Sequence, residues 1–189
     1  MRDDDFFTCM GERGTLSIVL ALRDAGRPLI FKDLLPIIGN NQTLRFRLDS
    51  MEEEGLIDMV VVLTGHKMIS ISLTDAGREV AALLSLANRL VSPDKKTREK
   101  SIDSKYADPI LRLLRGRDYL VQKEIIAAIP SYASVVKAAD ALEKDGLLIH
   151  TVKTEWPKED RYSLTPLGDQ IAEIYQTIWE TIDSVRIKG

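Results

Sequence analysis

The stretch from Asn41 to Ser50 carries side chains that suit hydrogen bonding to the edges of DNA bases. Arginine donates forked hydrogen bonds to guanine, and asparagine or glutamine pairs with adenine in the same way. An alternative is that the arginines pair with Asp49 and Glu53 on a solvated helix face. The candidate base contacts are Asn41, Gln42, Thr43, Arg45 and Arg47.

Further candidates for DNA contacts lie elsewhere in the chain. His66 and Lys67 stand in a predicted hairpin turn, from which they would reach a phosphate or the minor groove, although a solvated turn explains them equally well. The corresponding candidates in the second half of the chain are Tyr132, Ser134, Lys137 and Lys158. Because the second set is poor in basic residues and partly apolar, we expect the first half to contact DNA and the second to contact a partner.

Two aromatic residues are candidates for contacts with a partner. At a turn of roughly 100° per helical residue, Phe46 points about 200° away from Leu44, so it is exposed if Leu44 is buried. We expect Phe46 to pack against another domain or subunit, with a thymine methyl as the alternative contact. Trp156 lies in a predicted hairpin and suits either an interface anchor or packing against the neighbouring domain.

The C-terminal residues form an apolar stripe at helical spacing, which runs from Ile171 to Val185. Such a stripe is longer than one small domain needs, so we expect its last turns to bury against another chain or the other domain. A two-fold dimer would suit a palindromic DNA site. The predicted interface residues are Tyr175, Ile178, Trp179 and Ile182.

No set of residues has the spacing of a catalytic or cofactor site. His66 and His150 have no second metal ligand near them in sequence, and the chain contains neither a G-x-G-x-x-G motif nor a P-loop. The acidic runs at residues 3–5 and 52–54 are typical of solvated faces. We therefore expect no enzymatic activity, no metal and no cofactor. A small-molecule effector would be compatible with this, but no residue indicates one.

The composition predicts a globular cytoplasmic protein that does not contact a membrane. No apolar run approaches the roughly 18 residues that span a bilayer, and the acidic N-terminus is unlike a secretory signal. Cys9 is the only cysteine, so no internal disulfide forms. The net charge of −3 argues against a protein that coats nucleic acid non-specifically, but a local basic face would suffice for specific binding.

The sequence contains an internal repeat. Asp49–Ile57 resembles Asp140–Leu148, and Ser72–Gly77 resembles Ser163–Gly168, both at an offset of about 91 positions. An offset this long indicates two copies of a domain rather than a solenoid. The predicted parts are a first domain at residues 1–91, a polar and net basic linker at 92–104, and a second domain at 105–189 that ends in a long helix.

Each copy shows the same order of predicted elements. In the first copy, an amphipathic helix is followed by a short helix distorted by Pro36 and by a third helix that ends at Gly55. A β-hairpin comes next, and Thr74 caps a fourth helix. In the second copy, Asp108-Pro109 and Thr165-Pro166 each predict a helix start, with an N-cap residue before a proline at the first helical position.

This order of elements is that of a winged helix-turn-helix domain. Leu48–Ile57 resembles the end of a recognition helix with the first wing strand, and Ile71–Arg78 resembles the second wing strand with the last helix. The chain is therefore similar to transcriptional regulators of the MarR, PadR and HxlR kind and to archaeal winged-helix proteins generally. The resemblance implies an α+β, mainly α fold of two tandem winged helix-turn-helix domains related by internal duplication.

The resemblance is compatible with two functions. The first is a DNA-binding transcriptional regulator, acting as a homodimer on double-stranded DNA through the third helix of its first domain. The second is a protein-interaction or assembly factor without sequence-specific readout, similar to the condensin-associated ScpB proteins. The polar third helix favours the first function. The acidic balance, Phe46, Trp156 and the C-terminal stripe favour the second.

Overall fold

The structure is a computed structural model that describes residues 8–64, 66–129 and 131–187, except for the side chains of residues 64, 66 and 67. It is an α+β fold, mainly helical, with two small antiparallel sheets. The predicted fold class is confirmed at this level. The predicted domain boundaries stay a prediction.

The first half contains four helices and three strands after a 3-10 turn at Cys9–Gly11. The strands form one antiparallel sheet in the order β1-β3-β2, so that β3 is the central strand. The elements are α1 (Thr15–Ala25), β1 (Leu29–Ile30), α2 (Phe31–Ile38), α3 (Asn41–Glu53), β2 (Ile57–Thr64), β3 (His66–Leu73) and α4 (Asp75–Leu90).

The second half repeats this order of helices and strands. Its sheet also has the last strand in the centre, in the order β4-β6-β5. The elements are α5 (Ala107–Leu114), β4 (Leu120–Val121), α6 (Gln122–Ala128), α7 (Tyr132–Lys144), β5 (Leu148–Lys153), β6 (Glu159–Leu164) and α8 (Pro166–Arg186).

The repeated Thr-x-x-Gly motif makes the same contacts in both halves. The hydroxyl of Thr74 accepts a hydrogen bond from the Gly77 N–H and caps α4, and Thr165 caps α8 through Gly168 in the same way, which confirms both predicted caps. Each glycine also lies against a backbone carbonyl. A Cβ at either position would stand 1.9 Å from the oxygen of Leu56 or Leu147, so no larger residue fits without a shift of the backbone.

Two predicted helix starts differ in outcome. The helix that contains Pro36 is only eight residues long, as expected for a helix with a proline near its end. The start predicted at Asp108 is wrong, because α5 begins at Ala107 with Tyr106 as its N-cap. The Asp108 carboxylate instead accepts hydrogen bonds of 2.6 and 3.2 Å from the Arg112 guanidinium one turn later, so it is not free to cap the helix.

The terminal helix α8 packs against both α4 and α5 and so joins the two halves. Its residues Tyr175, Ile178 and Ile182 are buried within the chain. They are therefore not available for the dimer interface predicted for them, because the stripe packs within the chain, against α5 of the same half and α4 of the first half. Trp179 is half-buried. The guanidinium carbon of Arg112 lies 5.6 Å from the centre of the Trp179 ring, so Trp179 also contacts this chain.

The segment predicted as a linker is packed against both halves. It forms two 3-10 turns, and Ile102 within it is buried. The Tyr175 hydroxyl donates a hydrogen bond to the Ile102 carbonyl at 2.9 Å, and the Ser17 hydroxyl donates one to Asp103 at 2.6 Å. The Ser101 N–H donates to Asp145 at 2.8 Å. These bonds hold the segment in place between α1, α7 and α8.

Candidate nucleic-acid interface

Helix α3 is amphipathic, with one apolar face and one polar face. Asn40 caps its first turn by accepting a hydrogen bond from the Thr43 N–H. Leu44, Leu48 and Met51 are buried. The polar candidates Asn41, Gln42, Thr43 and Arg45 are exposed together with Phe46. Phe46 is 65% exposed, which confirms the orientation predicted for it.

Arg47 does not belong to the exposed polar face. Only 6% of the residue is exposed, since it lies one turn from Leu44 on the buried side of the helix. Its guanidinium donates to the carbonyl of Arg13 at 3.2 Å and to the carboxylate of Glu12 at 3.0 Å. The prediction that Arg47 reads bases is therefore wrong for this arrangement, and the alternative partners Asp49 and Glu53 do not bind it either.

Arg45 is exposed and unpaired within the described part of the chain, so the alternative of a surface ion pair with Asp49 does not hold for it. It lies beside Gln42 at the rim of a cleft of about 740 Å³ between the start of α3, the start of α2 and strand β3. Apolar side chains, among them Phe31 and Ile69, line the same cleft. The cleft thus combines polar donors with an apolar surface that a base or its methyl group would fit.

The first hairpin exposes apolar side chains that are not among the predicted contact residues. Strands β2 and β3 pair as far as Thr64 and His66, and the side chains of His66 and Lys67 lie outside the described residues. Val60, Val61 and Leu63 are all at least half exposed. Neighbouring strand residues point to opposite faces, so the continuous apolar run at 59–63 places apolar groups on both faces. That run was the available signal.

The second-half candidates lie apart from one another. Tyr132 and Lys137 are exposed on α7, and Ser134 is half-buried with its hydroxyl 2.9 Å from that of Ser131. Lys158 and Trp156 are exposed in the connection between β5 and β6, and Trp156 is 92% exposed. Trp156 therefore does not pack against the neighbouring domain, and its role as an anchor for a partner stays a prediction.

A basic groove lies between α7 and residues 95–105, with a volume of about 630 Å³. Two carboxylates, those of Asp103 and Asp145, are buried in its wall. Burial raises the pKa of Asp103 to about 6, against the lowering effect of its hydrogen bonds with Ser17. Burial would also raise the pKa of Asp145, but hydrogen bonds from Lys95, Ser101 and Ser92 hold it below its ordinary value, so Asp145 is charged at neutral pH.

Glu54, the residue that follows α3, accepts hydrogen bonds from both the N-terminal turn and α8. The Cys9 N–H donates to Glu54 at 2.7 Å, and the Arg186 guanidinium donates to the same oxygen at 3.0 Å. Burial, followed by the nearby Glu54 charge, holds the pKa of the Cys9 thiol well above its usual range. The thiol is therefore neutral at pH 7, and its burial keeps it from reacting with a substrate.

Comparison with known proteins finds no match, neither a protein-family model nor a curated sequence.

Across the described ranges, no three His, Cys, Asp or Glu side chains come together as metal ligands. No single helix there is long and apolar enough to cross a bilayer, and α6 and α7 reach that threshold only as a pair bent by 120°.

The two arginines of α3 provide a matched pair of variants. We expect Arg47→Ala to lower the free energy of unfolding by about 1–3 kcal/mol, because it removes the buried contacts with Glu12 and Arg13. Arg45→Ala should change it by less than about 0.5 kcal/mol, because the side chain is exposed. Urea denaturation of both variants measures this difference. Equal effects of the two substitutions would contradict the assignment.

Proposed function

We propose that the chain is a DNA-binding transcriptional regulator made of two tandem winged helix-turn-helix units related by duplication. The repeat of sequence blocks, the same order of elements and the same sheet order in each half support this. So does the shared contact in which Gly77 and Gly168 lie against equivalent carbonyls. In each unit, the third helix and the following hairpin would be the recognition helix and the wing.

The observation that carries the proposal is the exposed Arg45 beside Gln42 on the outer face of α3, with no ion pair to any described residue. A recognition helix contacts base edges with the residues of its N-terminal half. Arg45 would donate to a guanine, and Asn41 or Gln42 would pair with an adenine. Each such bidentate contact is worth about 1–3 kcal/mol of discrimination. We assign the protein a regulatory, non-catalytic role in the cytoplasm.

Selection from a library of randomised DNA duplexes tests the proposal. The chain should enrich one sequence motif, and Arg45→Ala should reduce its preference for that motif over a scrambled duplex by roughly 5- to 150-fold. Glu53→Ala, an exposed change near the end of the same helix, is the matched control and should keep the preference. Failure of the wild-type chain to enrich any motif, or an unchanged preference in Arg45→Ala, would contradict sequence-specific readout.

A second candidate function is assembly into a homodimer, in which the first hairpin binds a second copy of this chain. Leu63 is 81% exposed and Val60 is 56% exposed. Strand β2 is an outer strand of its sheet and pairs only with β3 among the described residues. Such an edge offers free backbone groups to another strand. Antiparallel pairing of two β2 strands would bury the apolar groups and give the homodimer expected of a regulator.

Light scattering coupled to size-exclusion chromatography tests this dimer. The wild-type chain should have twice the mass of one chain, and Val60→Lys combined with Leu63→Lys should have the mass of one chain, because lysines on an edge strand oppose its pairing with another strand. Leu86→Lys, an exposed apolar position on α4, is the control and should leave the mass unchanged. A wild-type chain of single mass would overturn the proposal.

A further inference from the structure

One part of the surface between α7 and the start of α3 is the basic groove. Its α7 side includes Ser134, Lys137 and Lys144, and its other side is formed by residues 95–105. A second groove of about 510 Å³ adjoins it and reaches Thr43 at the start of α3 and the preceding turn at Gly39. Arg13 and Arg98 line both grooves, so they stand where the two meet. The third helices of both halves therefore border one connected surface.

This surface carries an excess of positive charge in a chain whose net charge is −3. Seven basic side chains line the basic groove against three carboxylates. Two of these carboxylates, Asp103 and Asp145, are buried in its wall. Of the seven basic side chains that line the groove, four are exposed and have no ion pair within the described residues: Arg13, Arg98, Lys137 and Lys144.

The groove is held in shape by the protein itself. Asp145 receives hydrogen bonds from Ser92, Lys95 and the Ser101 N–H, and the buried Lys100 donates to the carbonyl of Asn88. Because these wall residues are already fixed, ligand binding has to order only the exposed side chains of the cations. The four free cations are left to face the ligand.

The spacing of the cations suits a DNA strand. Lys137 and Lys144 lie two turns apart on α7, with a rise of roughly 10 Å between them. A strand of B-DNA carries one phosphate per roughly 3.4 Å of helix axis, so this distance spans about three phosphates. Arg98 and Arg13 continue the positive surface toward Thr43 at the start of α3.

We propose that this connected surface binds the sugar–phosphate backbone of the same duplex that α3 reads, with Arg98, Lys137 and Lys144 as phosphate contacts. This inference rests on the proposed function and adds a second, sequence-independent contact to it. Backbone contacts fix the position of a protein on DNA and supply most of the salt dependence, but carry no sequence information. The linker and α7 thus orient α3 on its site.

Charge-neutralising variants test this inference. The groove variant is Arg98→Gln, Lys137→Gln and Lys144→Gln together; the control variant removes three exposed charges elsewhere, as Arg89→Gln, Arg115→Gln and Arg117→Gln. Fluorescence anisotropy of a labelled duplex is measured over a series of KCl concentrations, with the selected motif and with a scrambled sequence. A charge-keeping variant, Arg98→Lys, Lys137→Arg and Lys144→Arg, tests whether positive charge at these three positions is enough for wild-type binding.

The groove variant should bind at least 10-fold more weakly than the wild-type chain, with the slope of log affinity against log salt reduced by roughly 2–3. Its ratio of affinities for selected and scrambled duplex should not change, and the control and charge-keeping variants should bind like the wild type. An unchanged slope in the groove variant, or an equal loss in the control, overturns this inference and leaves the proposed function standing. A wild-type chain that binds no duplex overturns both.

Discussion

The arrangement of the whole chain depends on the packing of α8 against α4 and α5. Tyr175, Ile178 and Ile182 belong to its buried stripe, and full burial of each isoleucine is worth about 1.5–3 kcal/mol. The Tyr175 hydroxyl also binds the Ile102 carbonyl, and Arg186 at the end of α8 binds Glu54 beside α3. One helix of the second half thereby holds the connecting segment and reaches the first half.

This packing gives the connecting segment a function in the proposed mechanism. Held between α1, α7 and α8, residues 95–105 form the wall of a groove and present Arg98 at a fixed position. A chain with an acidic net charge can thus carry a basic surface on one side. The exposed apolar hairpin, with Leu63 and Val60, supplies a separate surface on which a second copy would dock. The proposed DNA and dimer contacts therefore need not compete for the same residues.

The sequence predicted what local interactions determine. The caps at Thr74 and Thr165 depend on a hydroxyl and an N–H three residues apart, and both were correct. Helical spacing predicted that Phe46 is exposed, and the same spacing places Arg47 beside Leu44, although its arginine side chain suggested a DNA contact. The predicted start of α5 was wrong because the Asp108 carboxylate binds the Arg112 guanidinium one turn later and does not cap the helix.

Features that depend on tertiary packing could not be read from the sequence. The stripe of α8 showed that an apolar partner exists, but not that α4 and α5 of the same chain provide it. The basic residues of the linker were visible, but their meeting with Lys137 and Lys144 required the positions of both halves. The exposed hairpin was readable in part, because the run at 59–63 does not alternate.

Hydrogen exchange of the chain with and without its selected duplex tests the central claim, that α8 places both halves on one DNA surface. The account predicts slower amide exchange, on DNA binding, at the start of α3, at residues 95–105 and in α7 together. Slower exchange confined to α3 and the first hairpin, with α7 and the connecting segment unchanged, would contradict it.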